Sequence, residues 1–322
     1  MSHPPTLTEI KAMLAEAGLR PEKRYGQHFL IDGNLMRVLV DEADLGPSDT
    51  VIEVGPGVGN LTELLVERAG WVVAVEISPT IAEIARRRLA GAGVENFDLL
   101  VRDVLANKHT VAPEVLDLAE ARRQALAGPL KLIDKQKPLV GPLKLTDKQK
   151  PLAGRLKLVA NLPYQAATPL VAELVMHDPP LERLVFTVQE EVGRRFAAEP
   201  GTSDYGPVGV IVQALGKVEL LRRLSPSVFW PRPQVWSAMV RIRPDAAQRA
   251  SIRDLALFRR TIHGLFVHRR KRAARSLSLA DAAEGSPETW AARLKAAGLD
   301  PEARGETYTV EEIVRLANSL AK

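Results

Sequence analysis

The chain has 322 residues, 46% of them hydrophobic, with a formal net charge of +5, no cysteine and six scattered histidines. The missing cysteines exclude disulfides and thiolate metal sites, and the histidines show no ligand spacing, so no metal is expected. That length accommodates one large domain plus a smaller one, and the positive excess suits a polyanionic partner only where it is clustered.

Residues 1–20 lack the apolar core of a signal peptide. They read as a short amphipathic helix, with Thr6 and Glu9 at capping-box spacing and Gly18 as the stop. No window approaches the length of a membrane span, so a cytoplasmic protein is expected. Arg24–Leu30 is a polar, glycine-containing loop before a helix near Asn34–Ala43. Thr50–Thr62 then reads as a buried strand, a glycine-rich turn (Gly55, Gly57, Gly59) and a helix whose first N–H groups are free. The next strand, Trp71–Glu76, ends in a carboxylate 21 residues after Gly55, the place expected to bind ribose hydroxyls. Two cofactors fit such a unit. The dinucleotide fingerprint wants a glycine where Asn60 stands, whereas G-x-G-x-G preceded by Glu53 is the form usual in S-adenosylmethionine-dependent methyltransferases.

The strand Phe97–Val104 again ends in a carboxylate, Asp103, suited to the amino group of an adenine. Between Asp103 and Asn161 a 13-residue segment, Gly128–Val140, recurs almost unchanged as Gly141–Ala153. So long a connection reads as an insertion outside the core, either a solvated loop or an RNA-touching arm, since residues 107–155 carry ten Lys/Arg against five Asp/Glu. Leu156–Tyr164 is a buried strand stopped by Pro163, leaving Asn161 and Tyr164 at its carboxyl end, where open α/β sheets put ligands. There the Asn161 amide oxygen and the Leu162 carbonyl suit the two N–H groups of an exocyclic amine, and Tyr164 suits the ring face. Thr168–Met176 reads as a helix, Arg183–Val188 as a strand, Val208–Leu215 as helix or strand, and Val218–Leu224 and Ala238–Ile242 as strands. The Pro-rich loop Phe229–Ser237 holds aromatics suited to base stacking. From Pro244 the chain turns helical and charged. Arg259, Arg260, Arg269, Arg270, Lys271, Arg272 and Arg275 occur with no acid between Leu255 and Ala280, a density that points to phosphate contacts.

Taken together, these stretches resemble the ribosomal RNA adenine dimethyltransferase family, the small-subunit dimethyladenosine transferases, over nearly everything except the repeats. The resemblance rests on Gly26-Gln-His-Phe-Leu30, Glu53-Val-Gly-Pro-Gly57, Asn161-Leu-Pro-Tyr164, Phe229-x-Pro-x-Pro-x-Val-x-Ser237 and Phe266-x-x-Arg-Arg-Lys271. It implies that Gln27, His28, Leu30, Gly55, Gly57, Glu76, Ile77, Asp103, Val104 and Asn161 surround S-adenosylmethionine. It also implies that Asn161, Leu162, Pro163 and Tyr164 hold the adenine amine, with Phe229 sandwiching the base against Tyr164. The implied reaction is N6,N6-dimethylation of two adjacent adenosines in the 3′-terminal hairpin loop of small-subunit (16S) rRNA, during ribosome biogenesis. The implied architecture is an α/β, Rossmann-like methyltransferase domain over residues 1–243, with the repeat insertion at about 107–153, followed by a small α-helical basic domain over 244–322. A monomer that binds the small ribosomal subunit is expected. The rivals are a large-subunit rRNA methyltransferase of the antibiotic-resistance type and a non-catalytic RNA-binding assembly factor. A NAD-dependent dehydrogenase is disfavoured by Asn60 and by the lack of a catalytic His/Lys or Tyr-Lys arrangement.

Overall fold

The computed structural model describes residues 4–19, 28–108, 110–127 and 154–321. Gln27 and both 13-residue repeats lie outside them. The described chain opens with α1 (Leu7–Glu16), β1 (Phe29–Leu30), α2 (Gly33–Glu42), β2 (Thr50–Val54), α3 (Asn60–Val66), β3 (Trp71–Glu76), α4 (Pro79–Gly91) and β4 (Phe97–Val101). A small hairpin of β5 (Leu105–Asn107) and β6 (Thr110–Val111) leads into α5 (Pro113–Ala127), β7 (Leu156–Asn161), α6 (Ala167–Met176) and β8 (Arg183–Gln189). Then come α7 (Glu190–Phe196), α8 (Pro207–Leu215), β9 (Gly216–Leu224), β10 (Phe229–Trp230) and β11 (Ser237–Pro244). The rest is helical: α9 (Ala246–Ala250), α10 (Leu255–Phe266), α11 (Ala273–Ala280), α12 (Pro287–Ala296) and α13 (Val310–Leu320).

Seven strands form one sheet in the order β4–β3–β2–β7–β8–β11–β9. The first five run parallel, and β11 lies antiparallel to both of its neighbours. Parallel strands are covered by helices on both faces and so read as unbroken apolar runs; every residue of β2 is buried. The strand order reverses between β2 and β7. That switch point opens a crevice beyond the carboxyl ends of both strands.

α1 begins as its sequence dictates, with the Thr6–Glu9 capping box formed in both directions. One expectation is corrected. Residues 110–127 are not insertion: α5 packs on β2, β3 and β7 as the crossover helix before β7, with Val115 and Ala119 fully buried. Its apolar stripe is sparse, and Arg122 and Arg123 made it look like solvated loop. Both cations are used inside the fold: Arg122 pairs with Asp98 at 2.7 Å and covers the Trp71 ring, and Arg123 pairs with Glu120 at 2.5 Å.

Lys157, the second residue of β7, is 0% exposed. Its ammonium meets Asp49 Oδ2 at 2.9 Å and donates to the Asp44 and Ala43 carbonyls at 2.6 and 3.2 Å. This satisfied buried ion pins β7 to the loop before β2.

The carboxyl-terminal helices dock on the sheet through α8. Phe258, Ile262 and Leu265 of α10 belong to the same apolar cluster as Val210 and Leu215. The Tyr205 hydroxyl donates to the Tyr308 carbonyl at 2.9 Å, and Arg269 donates to the Thr202 carbonyl at 3.0 Å.

Candidate active site

After β2 the chain turns through Gly55, Gly57 and Gly59 with φ of 71°, 58° and 89°, a conformation that glycine adopts without steric cost. A Cβ on Gly57 would lie 2.7 Å from the Phe29 ring. Arg88 of α4 clamps this turn from behind: Nε donates to the Val58 carbonyl at 2.8 Å, Nη2 to the Gly59 carbonyl at 2.5 Å, and Nη1 pairs with Glu63 at 2.6 Å. Glu53 lies beneath it, 1% exposed, and accepts the Thr62 hydroxyl at 2.6 Å. Burial pushes the Glu53 carboxyl up to about 8, so it is mainly neutral near pH 7 and supports the turn as an uncharged group.

The cleft at the switch point is lined by the glycine turn, the ends of β3, β4 and β7, and the segment around His28. Glu76, 5% exposed, accepts the Ser78 N–H at 2.9 Å and the Gly57 N–H at 3.3 Å. Burial raises its pKa above the ordinary carboxylate range, and further hydrogen-bond donors would favour its ionised form. Asp103 accepts the Leu105 N–H at 2.9 Å through one carboxylate oxygen. Exposed Ile77, together with Ile81 and Val104, gives the cleft an apolar wall between these two carboxylates.

On the opposite wall, Asn161 is held at both ends of its amide. Its Nδ2 donates to the His28 carbonyl at 2.7 Å, and its Oδ1 accepts the Thr187 hydroxyl at 2.6 Å. A carbonyl only accepts, so the amide orientation is fixed by its partners. The Leu162 carbonyl accepts no backbone hydrogen bond among the described residues. Tyr164 bonds Ser237 Oγ through its hydroxyl at 2.8 Å, and burial raises its phenol above its ordinary pKa, so it stays protonated. His28 Nδ1 lies 2.6 Å from the Pro231 carbonyl and must carry the proton; its ring tilts against Tyr164 with centroids 5.3 Å apart.

His28, Gly55, Gly57, Glu76, Ile77, Asp103, Val104, Asn161, Leu162, Pro163 and Tyr164 are thus brought together. Gln27 lies outside the described residues. Leu30 does not line the cleft: β1 pairs with β10, and the alternation of the strand sends Leu30 into the core and Phe29 into the cleft. The same pairing places Phe229, 2% exposed, in the core beside Leu30, so the structure does not set it against Tyr164. The exposed aromatic of this loop is Trp236, with the Arg223 guanidinium 3.9 Å over its ring. Arg88 and Thr187 escaped the sequence reading, and Phe29 and Ser237 entered it only as members of the quoted motifs, with no role of their own. Only the steric need for Gly57 hinted at Phe29; the other three act through tertiary contacts.

Residues 18–322 match the family model for ribosomal RNA adenine dimethylase. The chain is 34% identical to the ribosomal RNA small subunit methyltransferase A of Pediococcus pentosaceus, covering 97% of this chain and 94% of that protein. It is 35% identical to the proteins of the same name from Pelotomaculum thermopropionicum and Mycobacterium tuberculosis, covering 96% of this chain and 95% and 86% of theirs. The chain belongs to the ribosomal RNA adenine dimethylase family. In fold it is similar to a dimethyladenosine transferase from Plasmodium falciparum, with a TM-score of 0.65, 19% identity and coverage of 90% and 96% of the two chains. The 23S rRNA methyltransferase ErmE gives a TM-score of 0.55 at 22% identity, over 91% of this chain and all of that one.

The dimethylase is an S-adenosylmethionine-dependent rRNA methyltransferase, and its residues fit that cofactor. Gly57 has no room for a side chain and Gly55 little, Glu76 offers a buried carboxylate to hydroxyls, and Asp103 borders an apolar slot suited to a purine.

The predicted basic set divides in two. Arg259 pairs with Glu173 at 2.5 Å, Arg269 with Glu306 and Arg272 with Glu302, so three of the seven cations already have carboxylate partners within the fold. Arg260, Arg270 and Lys271 are exposed and carry no ion pair among the described residues; Arg275 is exposed near Glu288. Among the described residues no helix is long and apolar enough to cross a membrane, and no three His, Asp or Glu side chains could share a metal.

Proposed function

We propose that this dimethylase acts on small-subunit rRNA, as a monomer, methylating N6 of two adjacent adenosines in the 3′-terminal hairpin loop during ribosome biogenesis. The reading is carried by the carboxyl end of β7, where Asn161, the Leu162 carbonyl and Tyr164 line the same cleft as Glu76 and Asp103. The identity to proteins named for the small subunit, against 22% to the 23S rRNA enzyme, favours that target.

Glu76 takes the ribose hydroxyls, Asp103 the purine amine, and Gly55, Gly57 and His28 the remainder of the cofactor. S-adenosylmethionine supplies an electrophilic methyl group on a positively charged sulfur. The protein's part is alignment and electrostatics. An adenine amine is a poor nucleophile because its lone pair is delocalised into the ring. Asn161 Oδ1 and the Leu162 carbonyl accept its N–H groups, favour a pyramidal nitrogen and sit where positive charge develops. The Tyr164 ring stacks on the base and fixes its distance. A loop adenine is already partly unstacked, which lowers the cost of presenting it. Arg260, Arg270, Lys271 and Arg275 neutralise phosphates, and exposed Trp236, covered by Arg223, offers a stacking surface. Residues 1–243 form the methyltransferase domain and 244–322 the helical RNA-facing domain.

The test is methyl transfer from labelled S-adenosylmethionine to isolated small and large subunits that lack dimethyladenosine, with the products mapped by mass spectrometry. Label confined to two adjacent adenosines near the small-subunit 3′ end supports the reading. Label on the large subunit would replace it with the resistance-type reaction.

A further inference from the structure

We propose that Thr187 is a positioning residue for the methyl transfer, acting through the Asn161 amide. This rests on the reading above, in which Asn161 Oδ1 accepts an N–H of the adenine amine. Thr187 lies opposite Asn161 in the β7–β8 register, is 1% exposed and donates its hydroxyl proton to Asn161 Oδ1 at 2.6 Å. At the other end of the amide, Nδ2 donates to the His28 carbonyl at 2.7 Å.

Two consequences follow from the chemistry of these groups. First, the flip of the amide is decided. With Nδ2 committed to a carbonyl and Oδ1 to a hydroxyl, turning the amide over would set its NH2 against the donating Thr187 hydroxyl and Oδ1 against the His28 carbonyl. Second, Thr187 takes one lone pair of Oδ1 and leaves one for substrate. Asn161 can then receive a single N–H, and the other N–H of an unmethylated amine falls to the Leu162 carbonyl. The Leu162 N–H donates to the Thr187 carbonyl at 3.2 Å, so the same residue anchors both acceptors, one by its side chain and one by its backbone. Thr187 itself lies beneath the cleft wall and has no route to the substrate.

Thr187→Val keeps the shape and the β-branching that suit a strand and removes only the hydroxyl. Thr187→Ser keeps the donor. Single-turnover methyl transfer to small subunits lacking dimethyladenosine is measured for both, together with the Kd for S-adenosylmethionine and for the subunit. Loss of one buried hydrogen bond to the aligning group is expected to slow the Val variant roughly tenfold. Both Kd values stay at wild type, and the Ser variant transfers within about twofold of wild type. A Val variant with the wild-type rate overturns the proposal, and so does a Ser variant as slow as Val, which would make the effect one of packing. Should Thr187→Val fail to fold, Thr187→Cys serves in its place as a weak donor: an intermediate loss supports the proposal, and a wild-type rate overturns it. Asn161→Ala run alongside separates the two levels. If it is inactive while Thr187→Val transfers at the wild-type rate, only the role of Thr187 falls; if it stays active, the reading of Asn161 falls with it.

Discussion

Glu53→Gln isolates the effect of a buried carboxyl beneath the glycine turn. The wild-type carboxyl is 1% exposed, lies at hydrogen-bond distance from one hydroxyl, and has the negative charge of Glu76 nearby. Its folded value of about 8 exceeds the ordinary 4.5, so between those limits the folded protein binds a proton that the unfolded chain releases. The stabilisation from that proton is complete below about pH 4.5 and is lost as pH rises toward 8. The interval caps the loss at about 5 kcal/mol, at 1.36 kcal/mol for each tenfold change in proton affinity. Glutamine keeps the size and the acceptor for Thr62 and never ionises. The difference in unfolding free energy between variant and wild type, from urea titrations at pH 5, 6, 7, 8 and 9, is therefore expected to drift in favour of the variant by a few kcal/mol as pH rises. Titrations of groups that do not interact with Glu53 cancel in that difference. A flat difference across the range would refute a carboxyl held neutral in the fold.

Two further outcomes test the cofactor and RNA surfaces. Glu76→Gln removes the charge proposed to meet the ribose hydroxyls and replaces one acceptor oxygen with a donor. It is expected to weaken S-adenosylmethionine binding by calorimetry about 10- to 100-fold, the range for a charge-assisted hydrogen bond; a change within twofold would remove Glu76 from the cofactor site. Replacing Arg260, Arg270 and Lys271 together with Ala is expected to lower the salt dependence of RNA binding by about one unit of log–log slope per lost phosphate contact. The same change at Arg259 and Arg269 should lower the unfolding midpoint, because those cations pair with the largely buried carboxylates Glu173 and Glu306. An unchanged salt slope in the triple variant would place the RNA elsewhere.

How far the sequence spoke for the structure follows from the range of the forces involved. The β2–turn–α3 unit, the carboxylates at the ends of β3 and β4, and the Asn161 end of β7 were legible because each is a local pattern: a buried run, a breaker, a ligand-type side chain. Leu30 is expected at the cofactor and Phe29 carries no expected role, because a two-residue strand has no periodicity of its own; its pairing with β10, some 200 residues away, decides which side chain enters the cleft. Phe229 followed the same pairing inward. α5 left little signal because only Val115 and Ala119 are fully buried, with Leu116 and Leu118 packed partly against the core among charged neighbours. The basic run looked uniform since no acid lies near it in sequence, yet Glu173, Glu302 and Glu306 reach it through the fold. Thr187 carried no signal at all: a threonine in a buried strand is ordinary until its register against Asn161 is known.

The central claim, that the carboxyl end of β7 aligns an adenine amine for methylation, is tested most directly by Asn161→Ala. Single-turnover transfer to small subunits lacking dimethyladenosine is measured beside the Kd for subunit and for cofactor. The result expected is transfer lost by several hundredfold or more, roughly the cost of removing one aligned charge-stabilising group, with subunit binding unchanged and cofactor binding within a few fold. Transfer near the wild-type rate, or transfer and subunit binding lost in parallel, would contradict it.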